Sequence, residues 1–201
     1  ALWKELKDSF HDSEIILSDM SEGMIEKSKE NLGEAGFRFE IIDFHDIPYP
    51  VKTFDVIISN HNLYHALDIH KVLGEIARVL KDDGCFYSTT SSTEHMARLR
   101  ELIGIPREMN WPDLSGFNAE KGGEFLARHF QSVEQRISLN ELRVTELGPV
   151  FEYFLSVRDE RIHAIVNQSR DAIREKFDAE IKRCGYYQVR ADGCLFICRK
   201  E

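Results

Sequence analysis

Polar side chains that could do chemistry follow several short apolar runs in this sequence. Asp19 follows Ile15-Ile16-Leu17, Asp43 follows Phe37–Ile42, Asn60-His61 follows Phe54–Ser59, and Thr89–Ser92 closes the run from Cys85. In a sheet of parallel strands, ligands bind outside the carboxyl ends, so these are the positions to weigh. A carboxylate there can accept two hydrogen bonds from a ribose diol, a pairing that a neutral side chain makes more weakly. Asp19 fits that role, and fits equally an acid at the start of a helix. Asp43 could accept from an adenine amino group or be an ordinary turn residue. Met20 and Phe44, their neighbours, could sandwich a flat base or belong to the core. The densest cluster is Asn60, His61, Tyr64 and His65. His61 and His65 are four apart, which suits a metal on a helix. No acid completes a zinc-protease arrangement, so no metal is expected. A neutral histidine beside a pocket can accept a proton; the alternative is one that satisfies nearby backbone. The sequence holds neither a G-x-S-x-G nucleophile elbow nor a G-x-x-x-x-G-K-[ST] phosphate loop.

Hydrophobic periodicity outlines the elements that must carry these residues. Ile15–Leu17 reads as a buried strand, followed by a helix capped at Ser21, with Met24, Ile25, Ser28 and Leu32 at helical spacing. Phe37–Ile42 reads as a second strand, and Ile47-Pro48-Tyr49-Pro50 as a loop. Phe54–Ser59 is apolar on both faces, as expected of a parallel strand covered by helices. A helix from Ile69 to Leu80 places Val72, Leu73, Ile76, Val79 and Leu80 on one face, with Lys71, Glu75, Arg78 and Lys81 toward water. Asp82-Asp83-Gly84 then turns the chain into a strand over Cys85–Thr90. Such alternation favours a parallel sheet with right-handed crossovers.

Further on, Glu94–Ile103, Ala119–His129, Leu147–Ser156 and Asp159–Cys184 read as helices, and Val133–Leu139 as a strand. Trp111 lies in a loop over Gly104–Gly116. The chain ends in an expected hairpin of Tyr187–Arg190 and Cys194–Arg199 about Ala191-Asp192-Gly193.

The 201 residues fit one domain, divided here into 1–92, carrying the strand-end polar groups, and 93–201, supplying cap helices and closing strands. With 26 Lys+Arg against 35 Asp+Glu, the net charge of −9 weighs against nucleic acid and mildly favours a small-molecule partner. No apolar stretch is long enough to span a membrane, and Ala1–Phe10 lacks a secretory apolar core. Four scattered cysteines without CxxC spacing point to core packing in a reducing, cytoplasmic setting.

Taken in order, IILSDMSEGMIEKSKENL, IIDFHDIPYPVKTFDVIISNHNLYHALD and VLGEIARVLKDDGCFYSTT resemble the class I S-adenosylmethionine-dependent methyltransferases, over roughly Ile15–Thr90. The resemblance implies an α/β, Rossmann-like sheet, mostly parallel with an antiparallel C-terminal strand. It implies S-adenosylmethionine as cofactor, with Asp19 on the ribose, Met20 and Phe44 at the adenine, and Asp43 on its amino group. Asn60 and His61 then flank the methionine part, and Tyr64 faces the substrate. His65 and His61 become candidate bases, while Trp111, Arg143 and Tyr153 are candidate lining of the acceptor pocket.

Two departures matter. Lys81-Asp82-Asp83-Gly84 replaces the family's Lys-Pro-Gly-Gly turn. The family's first strand and its glycine-rich loop have no counterpart upstream of Ile15, where Leu2, Trp3 and Leu6 suggest a helix instead. An amino-terminally shortened, inactive form is therefore an expectation. The strands near Ile15 and Phe54 would pair directly, or a second copy would cover the gap, because open edges are costly. Two rival readings remain: a non-catalytic scaffold with this fold, and a nicotinamide-dependent oxidoreductase, which also wants an acid after its second strand. The N-H-N-L-Y-H block and the D-I-P-Y loop favour methyl transfer.

Overall fold

The computed structural model describes residue 3 and residues 12–33, 36–105, 115–157 and 159–200. Its strands are β1 (Ile16–Asp19), β2 (Arg38–Ile41), β3 (Phe54–Asn60), β4 (Leu80–Ser91), β5 (Ser132–Ser138), β6 (Glu141–Val144), β7 (Tyr187–Arg190) and β8 (Gly193–Arg199). The helices are α1 (Glu22–Leu32), α2 (Ile69–Val79), α3 (Ala97–Ile103), α4 (Gly122–Leu126), α5 (Gly148–Ser156), α6 (Glu160–Gln168) and α7 (Arg170–Cys184).

The apolar stripe of α2 behaves as its spacing demands. Val72, Leu73, Ile76 and Val79 are buried, and the Asp68 carboxylate caps the helix by accepting from the Lys71 amide at 3.0 Å. That face packs on β3 and β4, which run parallel; β8 lies antiparallel between β4 and β5, in the order β3-β4-β8-β5. Along β4 the alternate residues Gly84, Phe86, Ser88 and Thr90 are buried, the period-2 signature of a strand with one covered face. Phe86, Phe117, Leu126 and Phe196 join the α2 stripe in one core. A second core gathers α3, α5, α6, α7 and β7 around Phe154, Ile162, Val166 and Phe177.

Several expectations change. The residues 81–84 do not leave the strand; they bulge within β4, whose pairing steps from Phe54↔Leu80 to Val56↔Cys85. Gly84 permits that bulge, since a Cβ there would lie 2.8 Å from the Leu80 side chain and 3.0 Å from the Asp55 carbonyl. The single helix expected over Asp159–Cys184 breaks at Ser169. The terminal strands form no hairpin: β7 pairs with β6, whereas β8 crosses to β4 and β5. The bend between them is held from inside, where Asp192, only 2% exposed, is ion-paired to Arg190. Ser21 holds the cap position of α1 but makes no side-chain cap bond. Cys194 and Cys198 are core residues, but Cys184 is exposed.

The strands β1 and β2 form their own parallel pair, Asp19 facing Ile41. Direct pairing of β1 with β3 is not found: among the described residues each is bonded along one edge only. Both instead line one cavity of about 680 Å³. The second correction follows from the first. With no described strand against its outer edge, β3 leaves Val56 50% and Ile58 39% exposed rather than buried on both faces. Of the N-terminal helix suggested by Leu2, Trp3 and Leu6, only Trp3 is a described residue, and its ring meets Phe37 edge-on at 6.4 Å.

Candidate functional site

Asp19 and Asp43 both stand on the wall of the 680 Å³ cavity: Asp19 ends β1, and Asp43 follows by two residues the Ile41 that pairs with Asp19 at the end of β2. Asp19 Oδ1 accepts from the Ser21 amide at 2.8 Å, a local turn that points the carboxylate off the strand end. Asp43 Oδ1 accepts both from the His45 amide at 2.9 Å and from the His45 ring Nδ1 at 2.8 Å. Those two hydrogen bonds hold the Asp43 carboxyl below the usual carboxylate range. Met20, 70% exposed, and the half-buried Phe44 lie beside the two acids on the same wall.

The loop that follows Asp43 is tied to the packed half of the molecule. Glu75 and Arg78 on α2, expected to face water, form a hydrogen-bonded ion pair and turn toward this loop. Arg78 donates to the carbonyls of Tyr49 at 2.7 Å and Ile47 at 2.9 Å, and Glu75 accepts from the Ile47 amide at 3.0 Å. Pro48 and Pro50 offer no amide of their own, so side chains complete the loop's bonding.

At the end of β3 the polar cluster divides. Ser59, Asn62 and His65 line the cavity, with the Ser59 hydroxyl donating to Asn62 Oδ1. Asn60, His61 and Tyr64 are not among the cavity's lining residues. Asn60 Oδ1 instead accepts from the Thr89 hydroxyl at 3.3 Å, on the next strand. His61 has a left-handed backbone, φ 50°, with its amide donating to the Thr89 carbonyl at 3.1 Å, so it marks the turn off β3. Partial desolvation, and then the nearby His95, draw its imidazole below the ordinary histidine pKa. His65 sits in a short 3-10 turn, Leu63–His65, its ring edge-on to Tyr64 at 4.4 Å, so the two histidines share no helix. Among the described residues no group of histidine, cysteine and acid could hold a metal.

Burial first, and then the nearby Tyr153, pushes the Tyr64 phenol above the ordinary value, and burial, against a smaller lowering by Arg100, pushes Tyr153 up, keeping both protonated. Arg143 is elsewhere: its guanidinium lies 4.8 Å over the Tyr186 ring and bonds Glu141. Trp111 lies outside the described residues. A smaller cavity of about 190 Å³ between Thr93 and Ile105 holds none of the strand-end acids. Sequence reasoning missed His45, Asn62 and His95. Asn62 was inside the polar block already singled out, and His45 is two residues past Asp43, the offset at which a side chain returns to an Asx turn. Nothing local marked His95.

The arrangement has counterparts among known proteins. The uncharacterized methyltransferase YcgJ of Bacillus subtilis is 34% identical over 76 residues, covering 36% of this chain and 30% of that protein. A malonyl-[acyl-carrier protein] O-methyltransferase of Acetivibrio thermocellus is 26% identical over 165 residues, 79% of this chain and 56% of the relative. The chain thus spans roughly a third to just over half of these relatives' length. Among solved structures, B. subtilis YcgJ superposes with a TM-score of 0.59 at 19% identity, covering 94% of this chain and 83% of the other. A putative methyltransferase from Bacillus halodurans reaches 0.62 at 17%, with the same coverage. These likenesses show the mostly parallel Rossmann-like fold. The family model described as a methyltransferase domain matches residues 4–141, more than half of the sequence, and the chain therefore belongs to the methyltransferase-domain family.

Proposed function

We propose that this chain binds S-adenosylmethionine in the 680 Å³ cavity and presents its methyl group to a small-molecule acceptor. One observation carries this reading: two carboxylates from adjacent strand ends share one cavity wall. The cavity falls within the range of about 300–1,000 Å³ usual for small-molecule sites. Each acid uses only Oδ1 toward described residues, which leaves Oδ2 for a ligand. Asp19 would take the ribose hydroxyls and Asp43 the adenine amino group, with Met20 and Phe44 against the base.

The cofactor, when bound, supplies an electrophilic sulfonium methyl and a good leaving group. The protein's work is alignment of donor and acceptor, from which most of the rate advantage comes. His65, which lines the cavity, can take a proton from the acceptor, with His61, kept neutral by its lowered pKa, as the alternative base. Tyr64 and Tyr153, both kept protonated, can donate hydrogen bonds to the acceptor. The reading also places the reaction in a reducing, cytoplasmic setting: all four cysteines are free thiols. The edges of β1 and β3 that no described strand covers, with Val56 and Ile58 exposed, favour a second copy covering them. Light scattering tests this last point; a monomer at all concentrations would remove it.

Calorimetric titration with S-adenosylhomocysteine and, separately, NAD tests the cofactor reading. Heat with the first and none with the second is expected. Asp19→Ala should weaken S-adenosylhomocysteine by about 1–3 kcal/mol, the range for losing a charged hydrogen-bond partner. Unchanged affinity takes Asp19 out of the site, and no heat with either ligand favours a scaffold.

A further inference from the structure

We propose that His45 is a positioning residue: its ring fixes the Asp43 carboxylate so that Oδ2 alone is offered to the adenine amino group. The proposal rests on the cofactor reading above. Asp43 Oδ1 is taken twice by one residue, from the His45 amide at 2.9 Å and from ring Nδ1 at 2.8 Å. The opposite ring nitrogen, Nε2, is buried and has no partner among the described residues. The ring meets Phe44 edge-on at 4.8 Å, which ties its plane to the apolar side chain on the cavity wall.

The protonation pattern follows from these contacts. An ionised carboxylate only accepts, so Nδ1 must carry the proton. Nε2, on the far side of the ring, is then left without a partner among the described residues. One buried polar atom stays unpaired, a cost that a histidine serving stability alone would not carry. The gain lies with Asp43. Two donors on one oxygen freeze a carboxylate that is otherwise solvent-exposed and free to rotate, and a pre-oriented acceptor loses less entropy on binding.

The two roles separate by substitution. Asparagine carries its amide nitrogen two bonds from Cβ, as histidine carries Nδ1, so His45→Asn keeps the donor. His45→Leu removes it and also removes the orphaned nitrogen. In the 201-residue chain, S-adenosylhomocysteine affinity should stay within about twofold in His45→Asn and fall roughly three- to tenfold in His45→Leu. The urea midpoint of His45→Leu should be unchanged or higher. Nitrogen-15 NMR of the ligand-free protein should show His45 protonated at Nδ1. Equal affinity in His45→Leu overturns the proposal, as does an affinity loss matched by lost stability that His45→Asn does not rescue. Protonation at Nε2 overturns it whatever the ligand result. If the wild-type chain shows the expected tautomer but takes up no S-adenosylhomocysteine, the cofactor reading fails and the role given to His45 falls with it.

Discussion

The half of the molecule built on β3, β4, β8 and α2 and the half built on β1, α1 and β2 are made from similar sequence and end up differently. In the first, Leu73, Leu80, Phe86 and Phe196 are essentially inaccessible and belong to one contiguous core. In the second, Ile25 and Phe37 alone among the described apolar residues are buried, while Met20, Met24 and Ile41 stand 70%, 51% and 56% exposed. Burying a large aliphatic or aromatic side chain is worth about 1.5–3 kcal/mol, so the first half is anchored many times over and the second barely. Both strand-end acids belong to the weakly anchored half. Their cavity lies where no described strand joins β1 to β3, and α2 reaches across through Glu75 and Arg78 to hold the loop beside it.

Substitution in the two halves should expose this contrast. Phe196→Ala removes a ring packed 5.8 Å from Phe117 at 0% exposure and should cost about 3–5 kcal/mol in urea unfolding. Ile41→Ala, on an exposed strand, should stay within about 0.5 kcal/mol. Similar costs at the two positions would mean that the halves are equally anchored. An effect smaller than that at Phe196 is expected at Gly122, where a Cβ would lie 2.7 Å from the Phe196 ring and 3.1 Å from Phe117. Gly122→Ala should therefore cost about 1–3 kcal/mol by overpacking, read from the same unfolding curves. A neutral Gly122→Ala would show that the aromatic stack has room to move.

The same contrast explains what could be read from the sequence. The α2 stripe was legible because burial there follows local periodicity, and Asp19 and Asp43 were legible because they end apolar runs. The exposure of β3 was not, since FDVIIS is as apolar as a fully covered strand and whether a neighbour covers its outer edge is a non-local fact. Strand β6 was missed for a related reason. Its residues ELRV carry no turn signal toward their partner β7, which lies some 45 residues later, as the Glu141↔Arg190 to Val144↔Tyr187 register shows. Tyr153 could be placed near Tyr64, and Arg143 away from it, only once the helices were packed. Their place in the second half of the chain made both look available.

A histidine pair in the packed half offers the finest test of its rigidity. Arg128 donates to His70 Nε2 at 3.2 Å, and His70 Nδ1 lies 3.2 Å from His129 Nε2, the rings stacked at 5.5 Å. Arginine only donates, so His70 must accept at Nε2, carry its proton on Nδ1, and donate to a bare His129 Nε2. The pair joins the start of α2 to the segment after α4. Desolvation first, then His70 and Arg128, draw His129 below the ordinary value of 6.5. Below about pH 6.5 the unfolded chain takes up a proton that folded His129 refuses, so stability should fall as pH drops from there through the folded pKa. Above that range the contribution is fully present. His129→Leu should flatten this part of the pH–stability curve, at a cost near pH 7.5 of no more than about 1 kcal/mol for the lost hydrogen bond. A variant that leaves the curve unchanged would move the acid sensitivity out of the α2 contact and dissolve the contrast between the two halves.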